Sequence, residues 1–301
     1  QAIATHPSGR WVFVGGDGEL RAFAVDPVTH ALTASTTISL PTNGVVAALG
    51  VDPSGRHLVA ADSGLDRVRS YAIDVATGVL TARDDIACGD DAIDLDFHPS
   101  GRWVYVASRQ AKQLLTARLD LTDGSLTSVA TLSTSLFPTR LTVHDADHRA
   151  YVGRSNGAVN ATTTLGQVGV YSIDAATGVL ADSGTAISLD VQPVFGVSVS
   201  SDGDRLTAFD NSATTNDTAV DTYSIDHGTG ALSLVGTHFA ASLRTDRVVR
   251  IPGTSSFFIS DPNFDQLAVL TVSDSGTTGA SISTGVAGDA SSVAGLLELF
   301  A

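Results

Sequence analysis

The chain has 301 residues and a formal net charge of −15; all but Glu19 and Glu298 of its 32 acids are Asp, and Lys112 is the one Lys among 17 bases. So few Glu and Lys, both strong helix formers, beside so much Asp, Thr, Ser, Val and Gly, exclude a mainly helical protein and point to an all-β one. The negative charge argues against nucleic acid and anionic membrane surfaces as partners, no apolar run reaches the roughly 18–20 residues of a membrane helix, and the single Cys88 excludes an intrachain disulfide or a cysteine zinc site.

Two motifs alternate along the chain. The first is a turn, His6-Pro-Ser-Gly-Arg10, leading into the apolar segment Trp11-Val-Phe-Val14. The second, Val25-Asp-Pro-Val-Thr-His-Ala-Leu32, reads as a hairpin whose Asp caps its own turn. The turn returns as Asp52-Pro-Ser-Gly-Arg56 before His57-Leu-Val-Ala60, and the hairpin as Ile73-Asp-Val-Ala-Thr-Gly-Val-Leu80. A third round is His98-Pro-Ser-Gly-Arg102, Trp103-Val-Tyr-Val106 and Leu119-Asp-Leu-Thr-Asp-Gly-Ser-Leu126. Degenerate turns follow at His144-Asp-Ala-Asp-His148, Ser200-Ser-Asp-Gly-Asp204 and Ile251-Pro-Gly-Thr254. Their hairpins are Ile173-Asp-Ala-Ala-Thr-Gly-Val-Leu180, Ile225-Asp-His-Gly-Thr-Gly-Ala-Leu232 and a decayed copy beginning at Val272.

The hairpin aspartates Asp26, Asp74, Asp120, Asp174 and Asp226 are spaced 48, 46, 54 and 52 residues apart, and each interval holds four strand-like segments. That period and strand count are those of a β-propeller blade. In each blade strand A precedes the Pro-Ser-Gly turn, B follows it, C ends at the repeating Asp and D follows the hairpin. The expectation is a single all-β domain over 1–301: a β-propeller of four-stranded antiparallel blades at about 1–40, 41–89, 90–135, 136–190, 191–241 and 242–287, with a closing strand at 288–301. Six blades are expected; seven is the alternative if strands continue past either end. The start at Gln1 without any Met suggests a mature product after signal removal, or a segment of a longer chain. With the sequons Asn160-Ala-Thr162 and Asn216-Asp-Thr218, this sets the expectation of a secreted, extracellular or periplasmic protein.

His98-Pro-Ser-Gly-Arg-Trp-Val-Tyr-Val106, together with Ile-Asp-x-x-Thr-Gly-x-Leu at 73–80 and 173–180, resembles the lactonase-type β-propellers. That family includes 6-phosphogluconolactonases, a carboxymuconate cyclase and YVTN-repeat surface proteins. The resemblance covers about 270 residues and implies ligand binding around a channel mouth, on the face carrying the D–A and B–C loops. Opening or closing a lactone needs an acid–base group, and cations for a carboxylate and an oxyanion. The expected catalytic residues are Arg140, Arg247 and Asp91, with Asp90 and Asp246 as further candidates for the base. Arg109, Arg154, Asp246 and Gln192 are the expected substrate-binding residues. A competing assignment makes the same residues rim ion pairs and turn caps.

Glutamate is nearly excluded from catalysis by its scarcity, and a phosphorylated sugar is disfavoured by the −15 charge. His6, His98 and His144 recur at the A–B turn and are expected to serve the fold. No cofactor is expected. Ca²⁺ is the one metal considered, through Asp90, Asp91, Asp94 and Asp96 with Asp62 and Asp66, although no EF-hand spacing is present. The alternative function is a non-catalytic extracellular or surface module. Partners are therefore a small molecule at the channel mouth or an extracellular protein, and convergence of the Arg/Asp set on a concave pocket separates the two.

Overall fold

The computed structural model describes residues 2–29, 31–144, 148–157, 166–189, 194–200, 202–211, 218–240, 247–250, 254–261, 266–273 and 276–283. Among them there is no helix, and none long and apolar enough to cross a membrane. The strands form six four-stranded sheets, each an antiparallel meander in chain order. The first sheet is β1 (Ala2–Thr5), β2 (Trp11–Gly15), β3 (Glu19–Val25) and β4 (Leu32–Ser39). The second is β5 (Val46–Val51), β6 (His57–Asp62), β7 (Arg67–Ile73) and β8 (Leu80–Ala87). The third is β9 (Ala92–Phe97), β10 (Trp103–Ser108), β11 (Gln113–Leu119) and β12 (Leu126–Ser133).

The fourth sheet is β13 (Phe137–His144), β14 (Arg149–Ser155), β15 (Gly166–Ile173) and β16 (Leu180–Leu189). The fifth is β17 (Gly196–Val199), β18 (Arg205–Asn211), β19 (Thr218–Ile225) and β20 (Leu232–Ala240). The sixth is β21 (Arg247–Arg250), β22 (Ser256–Asp261), β23 (Gln266–Ser273) and β24 (Gly276–Ser283). The expected closing strand at 288–301 lies outside the described residues. Two compact units divide the chain, one built on the first three sheets and one on the last three.

The repeated residues build the turns. Asp26 and Asp74 each accept the backbone N–H groups two and three residues on at 2.7–3.1 Å, Asp120 and Asp174 accept the one two residues on, and Asp226 the one three on. The backbone bonds hold the Asp74 carboxyl below the usual carboxylate range, and the Thr229 hydroxyl, with the Thr229 N–H, does the same for Asp226. In the A–B turn, His6 Nε2 lies 2.8 Å from the carbonyl of Gly55, in the matching turn of the next sheet. Gly55 has φ +74, and a Cβ there would lie 2.5 Å from the His6 ring, so the ring occupies space only glycine leaves. His144 packs on Gly203 in the same way.

A second contact ties neighbouring sheets. The residue opening strand B lies on the C–D hairpin of the following sheet. Trp11 rests on Gly78 and donates Nε1–H to the Val75 carbonyl at 3.1 Å, His57 rests on Gly124, and Arg149 rests on Gly230 while donating to the Gly228 carbonyl at 2.8 Å. Apolar cores fill the space between successive sheets. Phe13, Leu20, Leu58 and Tyr71 pack between the first two, and Val59, Val104, Val106 and Leu115 between the next two. In the second unit, Tyr151, Val168 and Leu206 form one core, and Phe209 and Phe257 another, with ring centroids 4.9 Å apart. Burying each such ring is worth roughly 2–3 kcal/mol.

The C–D pairing carries a β-bulge in the first five sheets, which increases local twist and bends the outer strand. The sixth differs: β23 and β24 pair without a register shift and are joined by only two residues, where six separate β7 from β8 and β19 from β20.

Candidate functional site

The loops between strands B and C, and those leading into strand A, meet at one end of each sheet. In the first unit they carry Asp91 and Arg109. Arg109 Nε donates to Asp91 Oδ2 at 2.7 Å, and the two side chains are 32% and 20% exposed, so the pair opens to solvent. The surrounding backbone fixes it. Arg109 N–H donates to the Asp91 carbonyl at 2.8 Å, Ala111 N–H to the Asp90 carbonyl at 3.2 Å, and Asp91 N–H to Asp66 Oδ1 at 3.0 Å. Asp66, Asp91 and Lys112, with φ 57, 61 and 51, all hold the left-handed conformation. Non-glycine residues adopt it at a cost and cluster where a loop is fixed by its surroundings.

Behind this pair lies a buried polar layer. Ser108 Oγ and Gln113 Nε2 both donate to the Cys88 carbonyl, the latter at 2.9 Å. Burial pushes the Cys88 thiol up to about 12. Asp62, fully buried, accepts from Val45, Gly64 and Leu65 N–H at 2.9–3.2 Å and from Arg69 Nε at 3.1 Å. Its oxygens shape two loops. Among the described residues no group of three or more His, Cys, Asp or Glu could hold a metal ion.

In the second unit Arg140 follows a bulge in β13 and donates Nη1–H to the Thr139 carbonyl at 2.7 Å. Arg154 is only 5% exposed. Its guanidinium lies along the sheet over Gly169, with Nη1 3.0 Å from Tyr171 Oη and 3.7 Å from Asp182 Oδ2. A Cβ at Gly169 would sit 2.6 Å from the guanidinium carbon. Arg154 is thus built into its sheet. Gln192, Asp246 and the Arg247 side chain lie outside the described residues. Of the expected set, the structure brings Asp91 and Arg109 together. Asp66, Gln113 and Lys112 were missed as supports; the signal was that Asp66 and Lys112 both stand immediately before a strand C.

The A–B turn and C–D hairpin end carries two clefts. A cleft of about 560 Å³ lies between the fifth and sixth sheets, and one of about 540 Å³ between the second and third, beside His57 and Arg83. Neither contains Asp91, Arg109, Arg140 or Arg154.

Residues 3–248 match a family model described as lactonase, 7-bladed β-propeller. No curated protein matches the sequence. Among solved structures, a putative 6-phosphogluconolactonase from Bacteroides fragilis is similar at 16% identity and TM-score 0.74, covering 93% of this chain and 82% of that one. The Pseudomonas aeruginosa periplasmic gluconolactonase PpgL is similar at the same identity and TM-score, over 94% of this chain and 85% of that one. A structure of the mitotic checkpoint complex reaches TM-score 0.68 at 13% identity over 94% of this chain and 79% of that one. At such identities the likeness is one of fold, the β-propeller. The family description carries seven blades, the alternative count above, beside the six complete sheets among the described residues.

Proposed function

Because the chain belongs to the lactonase seven-bladed β-propeller family, we propose that it opens or closes a lactone of a small carboxylated or sugar-type substrate at the Asp91–Arg109 pair. The observation that carries this reading is the division of labour within the pair. Arg109 Nε is engaged by Asp91 Oδ2, while Asp91 Oδ1 and the terminal nitrogens of Arg109 hold no hydrogen bond among the described residues. The open carboxylate oxygen is positioned to accept a proton from water, and the guanidinium N–H groups to donate to a carbonyl oxygen as it becomes an oxyanion.

In the hydrolytic direction water oxygen bonds to the ester carbonyl carbon, the ring C–O bond breaks, and the proton held by Asp91 passes to the departing ring oxygen. The product is a hydroxy acid whose new carboxylate suits the forked geometry of Arg109. With a net charge of −15, an unphosphorylated substrate fits better than a phosphorylated one. A secreted or periplasmic location belongs to the same proposal, supported by the periplasmic gluconolactonase among the similar structures.

The test is proton release from glucono-δ-lactone and dihydrocoumarin by wild type, Asp91→Asn and Arg109→Gln. Turnover by wild type and a fall of about 10²–10⁴ in kcat for Asp91→Asn are expected. Wild-type inactivity on both lactones, or an Asp91→Asn variant as fast as wild type, sinks the reading. A non-catalytic binding module is the second reading, favoured by the two clefts that contain none of Asp91, Arg109, Arg140 and Arg154. It expects no turnover.

A further inference from the structure

The cleft between the fifth and sixth sheets exists where the repeat has decayed. Elsewhere a six-residue C–D hairpin places a glycine on the residue opening the preceding strand B, as Gly124 does on His57 and Gly230 on Arg149. The two-residue connection from β23 to β24 leaves no such hairpin. Arg205, which opens strand B of the fifth sheet, instead lines a cleft of about 560 Å³ with Arg250, His227, His238, Phe257 and Val235. That volume lies within the roughly 300–1,000 Å³ of small-molecule sites.

The chemistry of the lining is selective. Arg250, half-buried on β21, has its guanidinium carbon 5.2 Å from the centre of the Phe257 ring and donates Nη2–H to the Thr254 carbonyl at 2.8 Å. Its Nε is buried without a hydrogen-bond partner, and Asp202 is the carboxylate whose charge reaches it. Burial lowers its pKa, with Asp202 opposing, so the charge is held where water screens it poorly. The acids of the cleft take their hydrogen bonds from other groups: Asp204 Oδ1 lies 2.8 Å from His227 Nε2, and Asp202 accepts from Ser200 Oγ and the Asp204 N–H. Phe257, Ile225 and Val272 supply apolar walls, and Val235, 45% exposed, an apolar lip.

We propose that this cleft binds a small molecule joining a carboxylate to a compact apolar body, the carboxylate meeting Arg250 and the body lying against Val235 and Val272. The site is separate from the Asp91–Arg109 pair and does not depend on lactone chemistry there. The remaining terminal N–H groups of the planar guanidinium suit a carboxylate, and the apolar lip gives the remainder of the ligand a place to leave water.

Isothermal titration with benzoate tests this, with benzyl alcohol and benzylamine as ring-matched uncharged and cationic controls. Saturable one-to-one binding of benzoate alone is expected. Arg250→Gln should weaken it about tenfold or more, the equivalent of one charge-assisted pair. Val235→Trp, at a half-exposed position, should block the cleft without touching its charge, so the proposal stays testable if Arg250→Gln fails to fold. Arg118→Gln, at an exposed arginine in neither site, should leave binding unchanged. Absence of saturable benzoate binding, equal binding of benzyl alcohol, wild-type affinity in Val235→Trp, or loss in Arg118→Gln with retention in Arg250→Gln would each overturn the assignment.

Discussion

Gly9 and Gly55 occupy the same place in the Pro-Ser-Gly turn, with φ +70 and +74, and differ in one respect. A Cβ at Gly9 would meet nothing within 4 Å, whereas one at Gly55 would lie 2.5 and 2.7 Å from two atoms of the His6 ring. Alanine in the left-handed region costs about 1–2 kcal/mol at either site. At Gly55 the ring must also move, giving up its 2.8 Å contact to the Gly55 carbonyl and its packing. That adds roughly 1–3 kcal/mol, as a lost buried hydrogen bond with local overpacking does. Urea unfolding of Gly9→Ala and Gly55→Ala, followed by tryptophan fluorescence, should separate the variants by that increment. His6→Ala combined with Gly55→Ala should recover part of the steric loss. Equal destabilisation by the two glycine substitutions would refute the claim that the histidine of one turn is seated on the glycine of the next.

Asp62→Ala should destabilise by roughly 3–5 kcal/mol in urea unfolding, since it strands Arg69 and three backbone N–H groups; Asp62→Asn, which keeps one acceptor oxygen, should cost less. Cys88, buried and with its thiol at about 12, should resist iodoacetamide at about pH 8 in the native state and be alkylated in urea, as read by mass spectrometry. Burial, partly opposed by Asp52, lowers the His57 pKa below its ordinary 6.5, so the folded state takes up this proton less readily than the unfolded chain. The corresponding stability is present above about pH 6.5 and is lost as pH falls below it. His57→Gln should flatten that slope, measured as the urea midpoint at about pH 8 and about pH 5.5.

The repeat was legible because its residues act locally. An Asp that accepts N–H groups two or three positions on leaves the same mark at Asp26, Asp74 and Asp226, wherever the sheet lies. Strand bounds and the scaffolding use of His6 and His144 follow from the same periodicity. The loop end was only partly legible. Asp91 and Arg109 stand 18 residues apart and meet because two backbone bonds and Asp66 fix their loops. Arg154, at the end of a strand, looks from spacing like a rim cation. Its burial depends on Gly169 across the sheet, where the missing side chain makes a channel for the guanidinium. Only the pairing of Gly169 with Val152, two residues from Arg154, could have signalled it. The cleft beside Arg250 was invisible for the opposite reason: it follows from what the sixth hairpin lacks.

The contact between strand B and the next hairpin takes three forms, the tryptophan form used twice, by Trp11 on Gly78 and by Trp103 on Gly178. Trp11 meets Gly78 and a carbonyl at Val75, His57 meets Gly124, and Arg149 meets Gly230 and a carbonyl at Gly228. In a chain of near-copies the hazard during folding is docking against the wrong neighbour, since every sheet offers much the same apolar face. A tryptophan indole and an arginine guanidinium differ in shape and in where their N–H groups point, so each fits the carbonyl of its own hairpin, Val75 or Gly228. Where the seats differ, a wrong order of docking forfeits a fitted contact even where the cores would accept it.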